Sequence, residues 1–432
     1  MLLPIVGQSL IGIGMGVVDV FMLGRVGEIA LAGASIGNQF YYIFNLFSFG
    51  LISGATVMTA QYWGVQDIVR IERTLAMILK IVVIISLLFT IAAMFAPEII
   101  MRIFTNETAV IAEGTKYLRI ISFSFVVMGC AQTYIFIMRS IERVKAGMII
   151  YAVIFAANIV FNSILIFGPP QMGIRGAALG TLMARSIGFL LAVLYARIIK
   201  PEVKVRFEYF LHVDKDLFTL FIKLGLPVVL NELFWGIALS AHEVILGHMG
   251  SPAIAANAVA KNIRDLIMVS AYGLSSVAAI EVGQTLGRGN KPLASRYAKR
   301  FVLLAGCLGA IGGILLMLCT GPILRVMVLS SEAQINLRYM LLIMGILASL
   351  QSFDETATVG ILRSGGDTRF SLILDTTMTW GLSVTLGAIA AFVLHLSVPM
   401  VFLTLNADVL VKIPFVLHRI KTGKWMNTIT EE

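Results

Sequence analysis

Long apolar stretches separated by short polar breaks recur along the whole chain. Each stretch is about 20 residues or longer, the length that an α-helix needs to cross a bilayer core of roughly 30 Å. The pattern therefore predicts an all-α membrane protein with twelve transmembrane helices, numbered here as spans 1 to 12 in chain order. Their predicted extents are residues 2–23, 36–62, 75–97, 117–138, 147–168, 174–196, 220–246, 258–286, 301–320, 337–362, 370–394 and 398–417.

The chain repeats its own sequence at a constant distance. GLISGATVMTAQYWG at residues 50–64 is followed, 223 residues later, by the related sequence GLSSVAAIEVGQTLG at residues 273–287. The same offset pairs Pro4 with Pro227. An even number of spans per copy makes the two copies parallel, related by an axis along the membrane normal. The sequence therefore predicts two pseudo-symmetric six-helix bundles.

These bundles are predicted to be an N-terminal lobe at residues 1–205 and a C-terminal lobe at residues 206–432. The polar stretch at residues 198–218 is the predicted linker. Two similar bundles of this kind commonly enclose a central cavity that opens alternately to either side of the membrane. The repeat therefore favours a transporter.

The composition and the charges fit this picture. Hydrophobic residues make up 58% of the chain and charged residues only 13%, whereas soluble domains carry roughly 25% charged residues. The net charge is +9, with 21 Lys and Arg in the even-numbered connections and the C-terminal tail, against nine in the odd-numbered ones. By the positive-inside rule, both termini are predicted to be cytoplasmic in a plasma (inner) membrane protein. The basic charge thus reflects topology, and we expect no nucleic-acid partner.

The sequence lacks the motifs of several other functions. No GxxxxGK[ST] sequence is present, which argues against an ATP-driven pump. HEVILGH at residues 242–248 is not the HExxH motif of a zinc protease. The three cysteines show no CxxC spacing, so neither a zinc site nor a disulfide framework is indicated. A membrane-embedded enzyme would need a clustered nucleophile and base, and we expect neither enzymatic activity nor a cofactor. The chain starts only three residues before Pro4, which leaves a longer natural N-terminus open.

Polar residues inside the first six spans suggest a cation or proton site. A charge at the bilayer centre costs at least about 2.5–3.5 kcal/mol, so Asp19 in span 1 needs a reason to be there. Asn158 and Asn162 in span 5 are four residues apart and share one helix face, and Thr181 lies in span 6. One carboxylate with three neutral oxygens suits a hard cation such as Na⁺, and a buried carboxylate also suits a proton. The alternative is that Asp19 only makes structural hydrogen bonds.

Four segments together resemble the MATE family of multidrug and toxic compound extrusion transporters. They are VDVFMLGRVGEIALAG at residues 18–33, the end of span 2 with Gln61 and Gly64, GIRGAALGT at 173–181 and LRSGGDTRF at 362–370. The resemblance covers the whole chain and implies twelve spans in two six-helix lobes. It also implies a secondary antiporter that exports small organic, often cationic, compounds in exchange for H⁺ or Na⁺. We expect a monomer whose partners are these small molecules and the lipid bilayer.

The resemblance also implies site residues. MATE proteins place an aspartate in the first helix, an Asn-x-x-x-Asp or Asn-x-x-x-Asn pair in the fifth and a threonine in the sixth, which here are Asp19, Asn158, Asn162 and Thr181. The second span-5 position is Asn rather than Asp, which leaves Na⁺ against H⁺ open. Some members bind a cation through acids in the seventh and tenth helices.

The nearest matches to these acids are Glu232 and Asp354, although their spacing fits the pattern incompletely. We treat them as a possible C-lobe cation or substrate site.

Two further features bear on mechanism. Pro4 and Pro227 are each expected to remove a hydrogen bond near the start of a lobe's first helix, which predicts either a hinge or a static kink. Arg185 in span 6 is expected to pair with an acid. The alternative function within transport is a flippase of a lipid-linked precursor from the same superfamily, which a strongly cationic cavity and additional helices would favour.

Overall fold

The computed structural model describes residues 1–198, 202–206, 208–211, 214–327 and 329–430. Within these ranges the regular elements are α- and π-helices, and none is a strand. Twelve of the described helices are long and apolar enough to cross a membrane, which confirms the predicted all-α fold. Spans 1 to 12 are Leu2–Gly24, Glu28–Gly64, Ile68–Phe95, Phe123–Ser140, Val144–Phe167, Ile174–Ile198, Lys215–Gly247, Ser251–Gly287, Lys291–Val326, Ser331–Leu362, Thr368–Val393 and Val398–Thr422.

Among the described residues, three shorter helices lie outside the spans. Pro97–Phe104 and Thr108–Ile121 connect spans 3 and 4, and Glu208–Leu211 precedes span 7. Pro97 begins its helix, where the missing N–H has no intrahelical acceptor to lose. The stretch predicted as span 4 at residues 117–138 therefore covers the end of one helix and most of the next.

Several spans depart from a regular α-helix. Span 5 ends in the π-helix Ser163–Phe167, and span 10 ends in the π-helix Thr356–Leu362. Span 11 contains Thr377–Val384 and Ile389–Val393 as π-helical segments, and span 12 consists of Val398–Leu405 and Asp408–Thr422. A π turn inserts one residue and is frequent at functional sites. The break in span 12 is non-helical, and such backbone is tolerated at membrane depth only where protein or water surrounds it.

Small residues let neighbouring helices approach closely. A Cβ on Gly313 of span 9 would lie 2.1 Å from the backbone oxygen of Gly345 in span 10, and one on Gly309 would lie 2.5 Å from that of Ala348. Close backbone contact at small residues is the usual way in which membrane helices associate. Spans 9 and 10 therefore depend on the absence of side chains at these two glycines.

The chain divides into two compact units. The first contains Met1, Leu3–Thr59 and Gln66–Ile222, and the second contains Leu2, Ala60–Val65 and Lys223–Glu432. The units separate between Ile222 and Lys223, inside span 7. The lobe boundary between residues 205 and 206 stays a prediction.

The duplicated sequence has a structural reason in the second unit. The end of span 2, with Gln61 and Gly64, lies beside the repeat partners Gln284 and Gly287 at the end of span 8. A Cβ on Gly64 would lie 2.2 Å from the backbone oxygen of Gln284, and one on Gly287 would lie 2.0 Å from the backbone oxygen of Gln61. The ends of the two motif copies thus pack against each other reciprocally. Each end needs its glycine because the backbone of the other end occupies that space.

The two prolines each lie within the first span of a repeat. Pro227 lies in the interior of span 7 and removes one hydrogen bond from that helix. Pro4 lies in span 1, Leu2–Gly24. The loss of a hydrogen bond at Pro4 and the hinge role of both prolines stay predictions.

Candidate functional site

A chain of hydrogen bonds joins the four polar residues predicted in the first unit. Asn162 Nδ2 donates to Asp19 Oδ1 over 2.8 Å and lies 3.3 Å from Asn158 Oδ1. Asn158 Nδ2 in turn donates to Thr181 Oγ1 over 3.2 Å. Asn158, Asn162 and Thr181 are buried. The structure therefore brings together one carboxylate, two amides and one hydroxyl from spans 1, 5 and 6.

The local sequence explains how these groups converge. Residues 158 and 162 are one helical turn apart, so both amides lie on the same face of span 5. Span 6 contributes Gly180 beside Thr181, and a Cβ on that glycine would lie 2.1 Å from Asn162 Oδ1. Because Gly180 has no side chain, the Asn162 amide can lie directly against span 6. The π-helix that follows Asn162 begins at the next residue.

One oxygen of this cluster has no partner among the described residues. Asn162 Oδ1 is buried and accepts no hydrogen bond from any of them. A buried polar atom without a partner is costly, so such an atom calls for an explanation. Together with the Asp19 carboxylate, the Asn158 carbonyl and the Thr181 hydroxyl, it provides the type of oxygen set that a small hard cation takes. The donor set fits Na⁺, and the carboxylate alone suffices for a proton.

Asp19 makes no salt bridge with any residue that the structure describes. Arg185, which was expected to pair with an acid, has other contacts: Nη1 donates to Ser124 Oγ over 2.7 Å, and the guanidinium lies 4.1 Å from the centre of the Tyr41 ring. No described acid lies within salt-bridge distance of Arg185, and a hydroxyl and an aromatic face are its direct contacts. The Arg185 charge acts on Asp19 only at longer range, and the direct contacts of Asp19 are hydrogen bonds.

The acids of the second unit differ in this respect. Glu232, one of the two predicted C-lobe residues, lies 2.6 Å from Arg363 Nη1 through its Oε1, and both side chains are buried. Arg363 lies just after the π-helix that ends span 10. In this structure Glu232 therefore has a built-in counter-ion, and a free cation is not needed to neutralise it.

Asp354, the other predicted C-lobe residue, belongs to a different group. Lys412 Nζ lies 3.3 Å from Asp354 Oδ2, 3.0 Å from Asp375 Oδ1 and 3.6 Å from Asp408 Oδ2. Asn231 Nδ2 donates to Asp375 Oδ2 over 2.8 Å. Lys412, Asp354, Asp375 and Asp408 are called the Lys412 cluster below.

The structure thus places Glu232 and Asp354 with separate cationic partners. The roles of Arg363 and Lys412 were not predicted from the sequence. Asp408 and Lys412 are four residues apart in span 12, which is a spacing that predicts contact on one helix face. This spacing is the sequence feature from which the Asp408–Lys412 contact could have been predicted.

A cavity in the second unit opens beside the Lys412 cluster. Its wall includes the aromatic side chains of Trp235 and Tyr272. The charged side chains that line it are Asp354, Glu355, Asp408, Arg264 and Lys412. Three carboxylates therefore face two cationic side chains around a partly aromatic wall. Among the described residues, no group of three or more His, Cys, Asp and Glu has the arrangement of a metal site.

Comparison with known proteins extends these observations. A model of the MatE family matches residues 4–164 and 227–389, once in each half of the chain. A probable multidrug resistance protein NorM from Agrobacterium fabrum is 25% identical over 438 residues, which is 95% of this chain and 92% of that protein. A second protein of that name, from Brucella suis, is 28% identical over 411 residues, which is 90% of this chain and 84% of that protein.

Solved structures agree with this fold. A MOP superfamily transporter from Pyrococcus furiosus superposes with a TM-score of 0.90 at 18% identity, covering 98% of this chain and 95% of that one. The MATE transporter VcmN of Vibrio cholerae gives a TM-score of 0.90 at 14% identity, covering 99% and 96%. At these identities the likeness shows the fold alone. The two matches to one family model also agree with the 223-residue repeat.

Proposed function

Because the chain belongs to the MATE family of transporters, we propose that it is an antiporter that exports small organic compounds in exchange for H⁺ or Na⁺. It is a multi-pass membrane protein and a transporter rather than an enzyme. Relatives named as probable multidrug resistance proteins support drug-like substrates. Asp19 is proposed to carry the coupling ion, with Asn158, Asn162 and Thr181 as its neutral partners.

One observation carries the choice of Asp19. Glu232 and Asp354 have cationic partners within hydrogen-bonding distance, whereas Asp19 has none among the described residues and interacts with the Arg185 charge only at longer range. A charge in the membrane without a directly paired counter-ion is expensive. A proton or Na⁺ is therefore expected to neutralise this carboxylate for much of the transport cycle, and the orphan Asn162 Oδ1 gives a Na⁺ a second ligand.

Antiport follows if ion and substrate exclude one another. We propose that filling the Asp19 site rearranges spans 1, 5 and 6 and lowers affinity for the substrate, with Pro4 and Pro227 as candidate hinges. By thermodynamic reciprocity, bound substrate then lowers affinity for the ion by the same factor. The site would release its ion when substrate binds and recover it from the other side of the membrane.

The cavity of the second unit favours export of organic cations over the alternative of a lipid-precursor flippase. A strongly cationic cavity would be expected in a flippase for an anionic precursor. The wall of this cavity instead has three carboxylates and two cationic side chains. Trp235 and Tyr272 add aromatic faces, which attract organic cations.

The function is tested by dye efflux from proteoliposomes that contain the purified protein. Gradients of Na⁺ and of pH are imposed separately, with empty liposomes as the control. We expect one inward ion gradient to drive loss of a cationic dye from the protein-containing vesicles. Equal dye retention with and without protein under both gradients would contradict the proposal.

We further propose that both termini and the linker are cytoplasmic. Residues of the linker contact the first turns of span 3: the Lys204 N–H donates to Glu72 Oε1 over 2.9 Å, and Arg206 Nε lies 2.7 Å from Glu72 Oε2. The Arg143 guanidinium donates to Glu202 and lowers the pKa of that carboxyl below its ordinary value. These contacts support a linker on the same membrane side as the connections before spans 3 and 5.

The topology predicts how a cysteine in the linker is labelled. Val205 is exposed, so Val205→Cys on a background with Cys130, Cys307 and Cys319 replaced by alanine offers a single thiol. In intact cells, we expect a membrane-impermeant maleimide to leave it unlabelled until the cells are permeabilised. Labelling of intact cells would place the linker outside and reverse the proposed topology.

A further inference from the structure

We propose that the Lys412 ammonium is a tethered cation that occupies the carboxylate cluster of the second unit and excludes free alkali cations from it. Lys412 Nζ has three carboxylate neighbours, at 3.0, 3.3 and 3.6 Å. They come from three different spans: Asp354 from span 10, Asp375 from span 11 and Asp408 from span 12. A single ammonium group therefore contacts carboxylates from three helices.

The surroundings fix this arrangement. The Lys412 side chain is 9% exposed, and the facing carboxylates are 14–18% exposed. Thr358 Oγ1 donates to Asp354 Oδ1 over 3.1 Å, and Asn231 donates to Asp375. These bonds hold the second oxygens of two carboxylates, so that the remaining oxygens point to the lysine. Several converging carboxylate oxygens are what a hard cation binds.

The position of Lys412 follows from the break in span 12. The helix stops after Leu405 and resumes at Asp408, so that Asp408 stands in the first turn, where the helix dipole favours a negative charge. Lys412 follows one turn later on the same face. The helix therefore holds the ammonium beside the carboxylates, and the fold sets its effective concentration there. A free cation has to compete with a covalently attached charge that cannot diffuse away.

This assignment makes Lys412 a specificity-determining residue. With the lysine in place, its ammonium occupies the position that a Na⁺ would take among the carboxylates. The inference concerns the second unit and does not depend on the role proposed for Asp19. It is therefore tested in protein that carries Asp19→Asn, where the first site cannot contribute a Na⁺ response.

The test compares the melting temperatures of purified D19N and D19N/K412A proteins in NaCl and in choline chloride of equal concentration. Alanine removes the ammonium together with its chain and opens the space between the carboxylates. We expect D19N to melt at the same temperature in both salts. We expect D19N/K412A to show a Na⁺-specific rise that saturates with Na⁺ concentration, because a ligand that binds only the folded state stabilises it.

A matched control tests whether the effect is specific to Lys412, and a second variant serves if the first does not fold. D19N/K421A removes an exposed lysine of the same helix and is expected to show no Na⁺ response. If D19N/K412A does not fold, D19N/K412A/D375N keeps the wild-type net charge of the cluster and is expected to show the Na⁺-specific rise. Absence of a Na⁺ response in the folded variant that lacks Lys412, or a Na⁺ response in D19N itself, would overturn the proposal.

Discussion

Replacement of Asp19 by asparagine is expected to abolish gradient-driven efflux while the protein still folds and inserts. The amide has nearly the shape of the carboxylate and still accepts the hydrogen bond from Asn162 Nδ2, 2.8 Å away in the native protein. It can neither take up a proton nor carry the negative charge that attracts Na⁺. In proteoliposomes under the driving gradient, we expect the initial efflux rate to fall to that of vesicles without protein.

Glu28→Gln is the matched control for this variant. Glu28 is an exposed acid in the first turn of span 2, and its neutralisation removes the same charge without touching the site. We expect Glu28→Gln to transport at the wild-type rate. Wild-type efflux by Asp19→Asn, with the same amount of protein per vesicle, would remove Asp19 from the mechanism and leave the acids of the second unit as candidates.

The second large effect is expected on stability, at the Glu232–Arg363 pair. Removing one partner of a buried ion pair leaves an unpaired charge and typically costs about 3–5 kcal/mol, whereas replacing both partners is often nearly neutral. Arg363→Met should therefore lower the melting temperature of the purified protein strongly, because Glu232 loses its contact of 2.6 Å.

The double variant Glu232→Gln/Arg363→Met separates this cause from simple loss of packing. It should recover most of the stability, because position 232 no longer carries a charge that needs Arg363. If Arg363→Met melted at the wild-type temperature, or if the double variant melted no higher than Arg363→Met, the pair would not have the role that its geometry indicates. Melting curves of wild type, Glu232→Gln, Arg363→Met and the double variant in detergent form the complete cycle.

The sequence predicted the spans well because bilayer thickness imposes a minimum length of apolar helix that is visible without tertiary information. Asp19, Asn158, Asn162 and Thr181 were also predictable as a group, since two of them share a helix face and the family resemblance supplied the others. The contact between Asn162 and Gly180 was not predictable, because it depends on how span 6 packs against span 5.

The second unit shows where sequence reasoning reached its limit. Glu232 and Arg363 are 131 residues apart, and nothing in their local sequences indicates that they meet. Glu232 and Asp354 looked like two ligands of one cation, yet each has its own positive partner from a distant segment.

Competition between ion and substrate for the purified protein tests the coupling role of Asp19 most directly. The affinity for a fluorescent substrate is measured by titration at increasing Na⁺ concentration, and separately at decreasing pH, for wild type and for Asp19→Asn. We expect the coupling ion to weaken substrate binding to the wild-type protein and to leave the substrate affinity of Asp19→Asn unchanged. Equal ion dependence of the substrate affinity in both proteins would contradict the coupling role of Asp19.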